Sequence, residues 1–168
     1  MSLRRLRTDR IGLFQLHRID PAYPLADQIG ALRQLREEGK VRHIGLSEVT
    51  VAELEAASAI TPIASVQNVC NLVTRGHGPV IDHTAARGIA FLPYFPVAMG
   101  EHARSGGPAA QVAAELGATP SQTALAWLLH RAPNVIPIPG TSSPAHLAEN
   151  AAALEVTLTE DQFKRLGA

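Results

Sequence analysis

Residues 11–47 read IGLFQLHRIDPAYPLADQIGALRQLREEGKVRHIGLS, and this stretch decides the fold. Ile11 to Leu16 is short and almost wholly apolar, the pattern of a strand buried on both faces. Pro21 and Pro24 break the chain after it. Leu25, Ile29, Leu32 and Leu35 then recur at helical spacing as far as Glu38, with charge on the opposite side. Gly39 suits the residue that ends a helix. Val41 to Ser47 begins a second apolar run. A strand, a helix and a strand in so short a span make a parallel βαβ unit.

The same alternation continues outward. Thr50 and Glu53 form a capping box that opens a helix to about Ile60, and Pro62 stops it. Ile63 to Asn68 reads as a third strand. Val80 to Arg87 reads as a helix ended by Gly88, and Ile89 to Tyr94 as a fourth strand. Ser105 to Pro108 is a loop before a helix to Leu116. Thr119-Pro120-Ser121-Gln122 combines an N-cap, a proline in the first turn and a capping glutamine, and the helix runs to about Arg131. Val135 to Pro139 reads as a fifth strand whose prolines suit a strand end. Ser143-Pro144 opens a helix to about Ala153, and Thr159 with Gln162 caps a last short one. Five strand–helix units imply an α/β fold with a parallel sheet, either a closed barrel or an open doubly wound sheet.

Composition narrows the function. The 168 residues carry 15 basic and 15 acidic side chains and no net charge, so a dedicated nucleic-acid or membrane-surface binder is not expected. The length suits one domain over 1–168. No apolar run is long enough to span a membrane, and Met1 to Arg5 lacks a signal-peptide core. The single Cys70 leaves no intramolecular disulfide, and it shows no sign of nucleophilic chemistry. His43, His77, His83, His102 and His130 show no metal-ligand spacing, so no metal site is expected. Arg4, Arg5, Arg7 and Arg10 read as a solvated helix end, and Trp127 as a packing residue among Leu125, Leu128 and Leu129. The expected protein is soluble, reduced and cytoplasmic.

In either architecture, ligands bind at the C-terminal ends of parallel strands. The strands end in Gln15-Leu16-His17, Ser47-Glu48, Gln67-Asn68, Tyr94, and Gly140 to Ser143. Hydrogen-bonding or aromatic groups thus close every apolar run. No GxGxxG or Walker fingerprint follows any strand, which weighs against a doubly wound dinucleotide fold.

These segments resemble the C-terminal part of the aldo-keto reductases, (β/α)8 barrels of the TIM type that use a nicotinamide cofactor. The resemblance rests on Leu6 to Asp20, Gly39 to Val49, Ser65 to Leu72, Phe91 to Ala98 and Ile138 to Asn150. It implies an incomplete parallel barrel of about five of eight βα units. It also implies reduction of small aldehydes or ketones with NADP as cofactor, and NAD as the alternative. His17 matches the histidine that hydrogen-bonds the substrate carbonyl. Ser47 and Gln67 match residues that hold the nicotinamide carboxamide, and Tyr94 the aromatic stacked on its ring. Pro96 and Val97 match the loop along the pyrophosphate. Gly140, Thr141, Ser142, His146, Glu149 and Asn150 match the adenosine-phosphate segment. Many members carry Asn in place of Glu48, and NADPH-preferring members carry Lys or Arg where this chain has Gly140 and Arg where it has His146. Asn68 and Asn71 are expected to support the strand end.

The family's proton-transfer unit is Asp, Tyr, Lys and His, and its first three members lie in βα units that precede the matched region. Of the four, only His17 has a match. Tyr23 is expected to pack in its loop, and Lys40 and Lys164 stand at no strand end. The expectation is therefore a nucleotide-binding chain inactive by itself, from a truncated, split or misread gene. Its open strand edges would favour self-association or a complementary N-terminal barrel half. A non-catalytic nucleotide-binding or assembly module is the alternative.

Overall fold

The computed structural model describes residues 2–98 and 107–167. His102 and the first two residues of the expected 105–108 loop lie outside them.

A short helix α1 (Ser2–Leu6) leads into β1 (Ile11–Leu16). Then follow α2 (Leu25–Glu37), β2 (Val41–Ser47), α3 (Val51–Ser58), β3 (Ile63–Gln67), α4 (Gly78–Ala86) and β4 (Ala90–Phe91). The C-terminal part is helical: α5 (Pro108–Leu116), α6 (Pro120–Arg131), α7 (Pro144–Ala152) and α8 (Glu160–Gly167). The strands form one parallel sheet in the order β1-β2-β3-β4. Neighbours in space are neighbours in sequence, each helix carrying the chain across to the next parallel strand.

Local chemistry sets the boundaries. Thr50 Oγ1 accepts from the Glu53 backbone N–H at 3.2 Å while the Glu53 carboxylate accepts from the Thr50 N–H at 2.8 Å, which starts α3. Thr119 and Gln122 form the same reciprocal cap on α6. Gly39 takes φ 75° and reverses the chain from α2 into β2, a conformation that a β-carbon disfavours.

The fifth strand expected at 135–139 is not formed. Val135 makes a single bridge to Phe91, in which Phe91 N donates to Asn134 O at 2.9 Å and Ile136 N donates to Phe91 O at 2.8 Å. Pro137 and Pro139 have no N–H with which to continue the ladder. The fourth strand is likewise cut from 89–94 to Ala90–Phe91: Leu92 N and Tyr94 N still donate to Val66 O and Asn68 O, but Pro93 between them has no N–H to pair. Tyr94 rejoins the sheet through an isolated bridge to Val69.

Ile44, Leu46, Val66 and Phe91 form the buried centre of the sheet, and Ile29, Leu54, Ile81 and Leu128 bring the helices onto it. Among the described residues the side of β1 away from β2 pairs with no strand, and Leu13 on β1 stays 40% exposed. In the middle strand, Gly45 pairs with Gln15 on one side and Ser65 on the other. Gln15 Nε2 donates to Ser65 Oγ at 3.2 Å across it. A β-carbon on Gly45 would lie 2.3 Å from that hydroxyl and 2.8 Å from Gln15 Cγ. The hydrogen bond between β1 and β3 exists because the β2 residue between them has no side chain. No helix among the described residues is long and apolar enough to cross a membrane.

Candidate functional site

The parallel register gathers one group from each strand. Leu16 pairs with Leu46, so His17 and Ser47 follow side by side, and Ser47 pairs with Gln67. The Val69–Tyr94 bridge sets Tyr94 next in the row. His17, Ser47, Gln67 and Tyr94 thus occupy one end of the sheet. His17 is exposed, Gln67 and Tyr94 are half-buried, and Ser47 is buried.

A polar frame fixes this row from behind. Asn68, fully buried, donates from Nδ2 to Val49 O at 2.8 Å and accepts at Oδ1 from Val49 N at 3.1 Å. Its Nδ2 also faces His77 Nδ1 at 3.0 Å. Glu48 has φ 54° and accepts at Oε1 from Val69 N at 2.7 Å. Its second oxygen lies 3.8 Å from His77 Nε2. The Glu48 carboxylate therefore ties the end of β2 to the end of β3. Asn71 donates to Phe95 O at 3.0 Å and accepts from Val73 N and Thr74 N, which pins the loop beside Tyr94.

A second group of residues surrounds a cleft of about 150 Å³. Val97, Gly140, Thr141, His146, Glu149 and Asn150 line it together with Ser121. Pro96 is buried beside this wall and Ser142 is exposed; neither lines the cleft. Two helix N-termini meet here: Ser121 belongs to the first turn of α6 and His146 to that of α7. Unpaired N–H groups at such ends attract anions. Ser143 caps α7, accepting from His146 N at 3.4 Å, and Thr141 Oγ1 accepts from Ser143 N at 3.1 Å. Glu149 is held by the start of α6, since Thr119 Oγ1 donates to its carboxylate at 2.6 Å and Gln122 Nε2 to its carbonyl at 3.1 Å.

Two residues were missed in the sequence. Ser121 reads there as part of a helix cap, which it also is. Arg18 donates to Ser47 Oγ at 3.3 Å and to His17 O at 3.1 Å, so a guanidinium joins the row. Its position next to His17 at a strand end was the available signal. Tyr23 is exposed in the loop after β1, and its carbonyl accepts from Gln28 Nε2 at 2.9 Å. Among the described residues no cluster of His, Cys, Asp or Glu has metal-binding geometry.

Cys70 is buried, and desolvation pushes its thiol up to about 11, against the opposing pull of Arg131 and Arg75. The protonated form, and the stability that its burial brings, persist below the ordinary thiol value of 9.0 and are lost as pH rises towards about 11. At pH 8 the native chain should react with Ellman's reagent at least ~100-fold more slowly than the chain in guanidinium. Equal rates would mean the thiol is accessible.

The sequence profile described as the aldo/keto reductase family matches residues 1–168. An uncharacterized oxidoreductase of Schizosaccharomyces pombe is 44% identical over 99% of this chain and 54% of its own. Pyridoxine 4-dehydrogenase of Escherichia coli is 46% identical over 80% of this chain and 47% of its own. The crystal structure of an aldo/keto reductase from Klebsiella pneumoniae in complex with NADP and acetate superposes with a TM-score of 0.85 at 29% identity. That match covers 98% of this chain and 60% of the other. The chain spans about half the length of these two curated relatives.

Proposed function

The chain belongs to the aldo/keto reductase family, its parallel sheet and helices being part of a TIM-type (β/α) barrel, and on that premise we propose that residues 1–168 form the nicotinamide-nucleotide side of a carbonyl reductase site. The observation that carries this reading is the row of His17, Ser47, Gln67 and Tyr94 on adjacent strands at one end of the sheet. NADP is the proposed cofactor and a small aldehyde or ketone the proposed substrate.

The residues present fit such a cofactor. Hydroxyl and amide groups on Ser47 and Gln67 match both the N–H and the C=O of a carboxamide. Tyr94 offers an aromatic face for a ring. The cleft between α6 and α7 presents helix N-termini and the Ser121 and Thr141 hydroxyls to an anionic group. Glu149 and Asn150 stand at the same cleft as acceptors for the adenosine end. His146 is the lining side chain able to carry positive charge, so it is assigned to a 2′-phosphate, the feature that distinguishes NADP from NAD.

When bound, the cofactor supplies a hydride to the carbonyl carbon. His17 donates a hydrogen bond to the carbonyl oxygen and orients it. Ser47 and Gln67 fix the carboxamide, and Tyr94 sets the exposed face of the ring. Arg18, bonded to Ser47 Oγ, occupies an acceptor site of that hydroxyl and frees its proton for the carboxamide oxygen. The family's tyrosine proton donor has no match in residues 1–168, so these residues alone are proposed to bind nucleotide without turnover. The exposed Leu13 on β1 and Ile136 and Ile138 beyond Phe91 favour assembly with complementary barrel segments, or with a second copy.

Titration of the 168-residue chain with NADPH tests this reading. Saturable binding is expected, weakened about tenfold in Gln67→Ala and weaker again with NADH. No oxidation of NADPH by a small aldehyde is expected until the N-terminal βα units of a relative are added. Absence of saturable NADPH binding would remove the proposal.

A further inference from the structure

His77 is not among the residues assigned to the cofactor, yet it links the two strand ends that carry Ser47 and Gln67. Its tautomer is set by Asn68. Asn68 Oδ1 accepts from Val49 N at 3.1 Å and Nδ2 donates to Val49 O at 2.8 Å, so the amide has one orientation. The remaining Nδ2 hydrogen faces His77 Nδ1 at 3.0 Å. An amide nitrogen only donates, so Nδ1 accepts and the neutral ring carries its proton on Nε2.

The ring closes a circuit of contacts. Its Nε2 lies 3.8 Å from Glu48 Oε2. Glu48 Oε1 accepts from Val69 N at 2.7 Å, and Glu48 N donates to Gln67 O at 3.0 Å. Val49, Asn68, His77, Glu48 and Val69 are thereby joined across the ends of β2 and β3. Ser47 directly precedes Glu48, and Gln67 directly precedes Asn68. Glu48 has φ 54°, which a residue with a side chain keeps only where its surroundings hold it.

A second proton on the ring breaks this arrangement. Nδ1–H would stand against the Asn68 N–H, donor to donor. Asn68 cannot turn to offer its oxygen, because the turn would set Nδ2 against Val49 N and Oδ1 against Val49 O. The ring must withdraw, and Asn68 and Glu48 each lose a contact. The His77 side chain is 26% exposed, so solvent protons reach it. The charged groups around it come from three elements and its own loop. Glu48 faces it from the end of β2. Arg75 lies two residues earlier, its carbonyl accepting from Gly78 N at 3.2 Å. Arg131 of α6 borders Gly78, its Nη2 3.9 Å from where a β-carbon there would lie, and is bonded to Asp82 of α4 at 2.7 Å.

We propose that neutral His77 positions Ser47 and Gln67 for the nicotinamide carboxamide, acting through Glu48 and Asn68, and that protonation of its ring weakens nucleotide binding. The proposal rests on the nucleotide-binding reading of the site. Histidine takes up its proton between pH 5 and 8, so the effect falls within ordinary solution conditions.

Calorimetric titration of the full chain with NADP+, the acid-stable form of the cofactor, tests this at pH 8 and pH 5.5. Circular dichroism checks the fold at both. His77→Asn keeps an acceptor near the Nδ1 position and cannot titrate. At pH 8 it should bind within about twofold of the parent, while His77→Ala should bind several-fold more weakly. Between pH 8 and pH 5.5 the parent should lose at least about fivefold more affinity than His77→Asn. His17, His146 and the cofactor phosphates titrate alike in both proteins, so the difference belongs to His77. Nitrogen-15 NMR at pH 8 should show the His77 proton on Nε2. Absence of NADP+ binding at pH 8 removes this proposal together with the nucleotide-binding reading. Three results remove this proposal alone: equal acid losses in the parent and His77→Asn, parental affinity in His77→Ala at pH 8, or a neutral ring protonated on Nδ1.

Discussion

Phe91→Ala lowers the unfolding free energy by about 4 kcal/mol, the cost of an emptied aromatic site in a core. The ring is fully buried in a strand only two residues long. Phe91 is also where two elements join the sheet: its backbone bonds Asn134 and Ile136, and the next amide, Leu92 N, donates to Val66 O at 2.8 Å. Loss of the ring removes the packing that holds this junction. Urea unfolding followed by circular dichroism should show the loss as a lower midpoint with little change in slope. The melting temperature should fall by roughly 10 °C. Phe95→Ala is the control, because Phe95 is 48% exposed, and its effect should stay within about 0.5 kcal/mol. Similar losses for both would place Phe91 outside the cooperative core.

Asn68→Ala should cost about 3 kcal/mol. The side chain satisfies both the N–H and the C=O of the buried Val49, so its removal orphans two backbone groups at once. Asn68→Asp is an informative companion. It keeps the acceptor for Val49 N but sets a carboxylate oxygen against Val49 O, so its loss should be at least as large. Because Asn68 joins the end of β3 to the residue after Glu48, both variants should also weaken NADPH binding, through Ser47 and Gln67. A fully stable Asn68→Ala protein would mean that water or another side chain replaces both bonds.

The first half of the fold was legible because its signals are local. Ile11–Leu16 and Val41–Ser47 are bounded in the structure where the apolar runs begin and end, and the third strand is one residue shorter than the run suggested. The capping residues of α3 and α6 are visible in four-residue windows. The region after residue 88 was less legible, since an apolar run shows burial and not pairing. Val135 to Pro139 is apolar enough for a strand, but two of its five residues lack the donor that pairing needs.

The candidate site divides in the same way. His17, Ser47, Gln67 and Tyr94 could be picked out because each closes an apolar run. Ser121 could not, because its place in the cleft follows from the packing of α6 on α7, recorded in the Thr119–Glu149 bond between distant residues. The use of Glu48 was hidden for a related reason. A carboxylate there reads as a departed cofactor ligand until the backbone, at φ 54°, turns it onto Val69 N and towards His77.

Gly45 bears on how a mutational survey of this chain would be interpreted. Every replacement adds at least a methyl group where Ser65 Oγ and Gln15 Cγ already stand. Codon 45 will therefore show the intolerance usually credited to an active-site position, although its residue has no side chain to offer a ligand. The intolerance belongs to the strand pair on either side, and variants there should be scored as packing defects before any catalytic meaning is assigned.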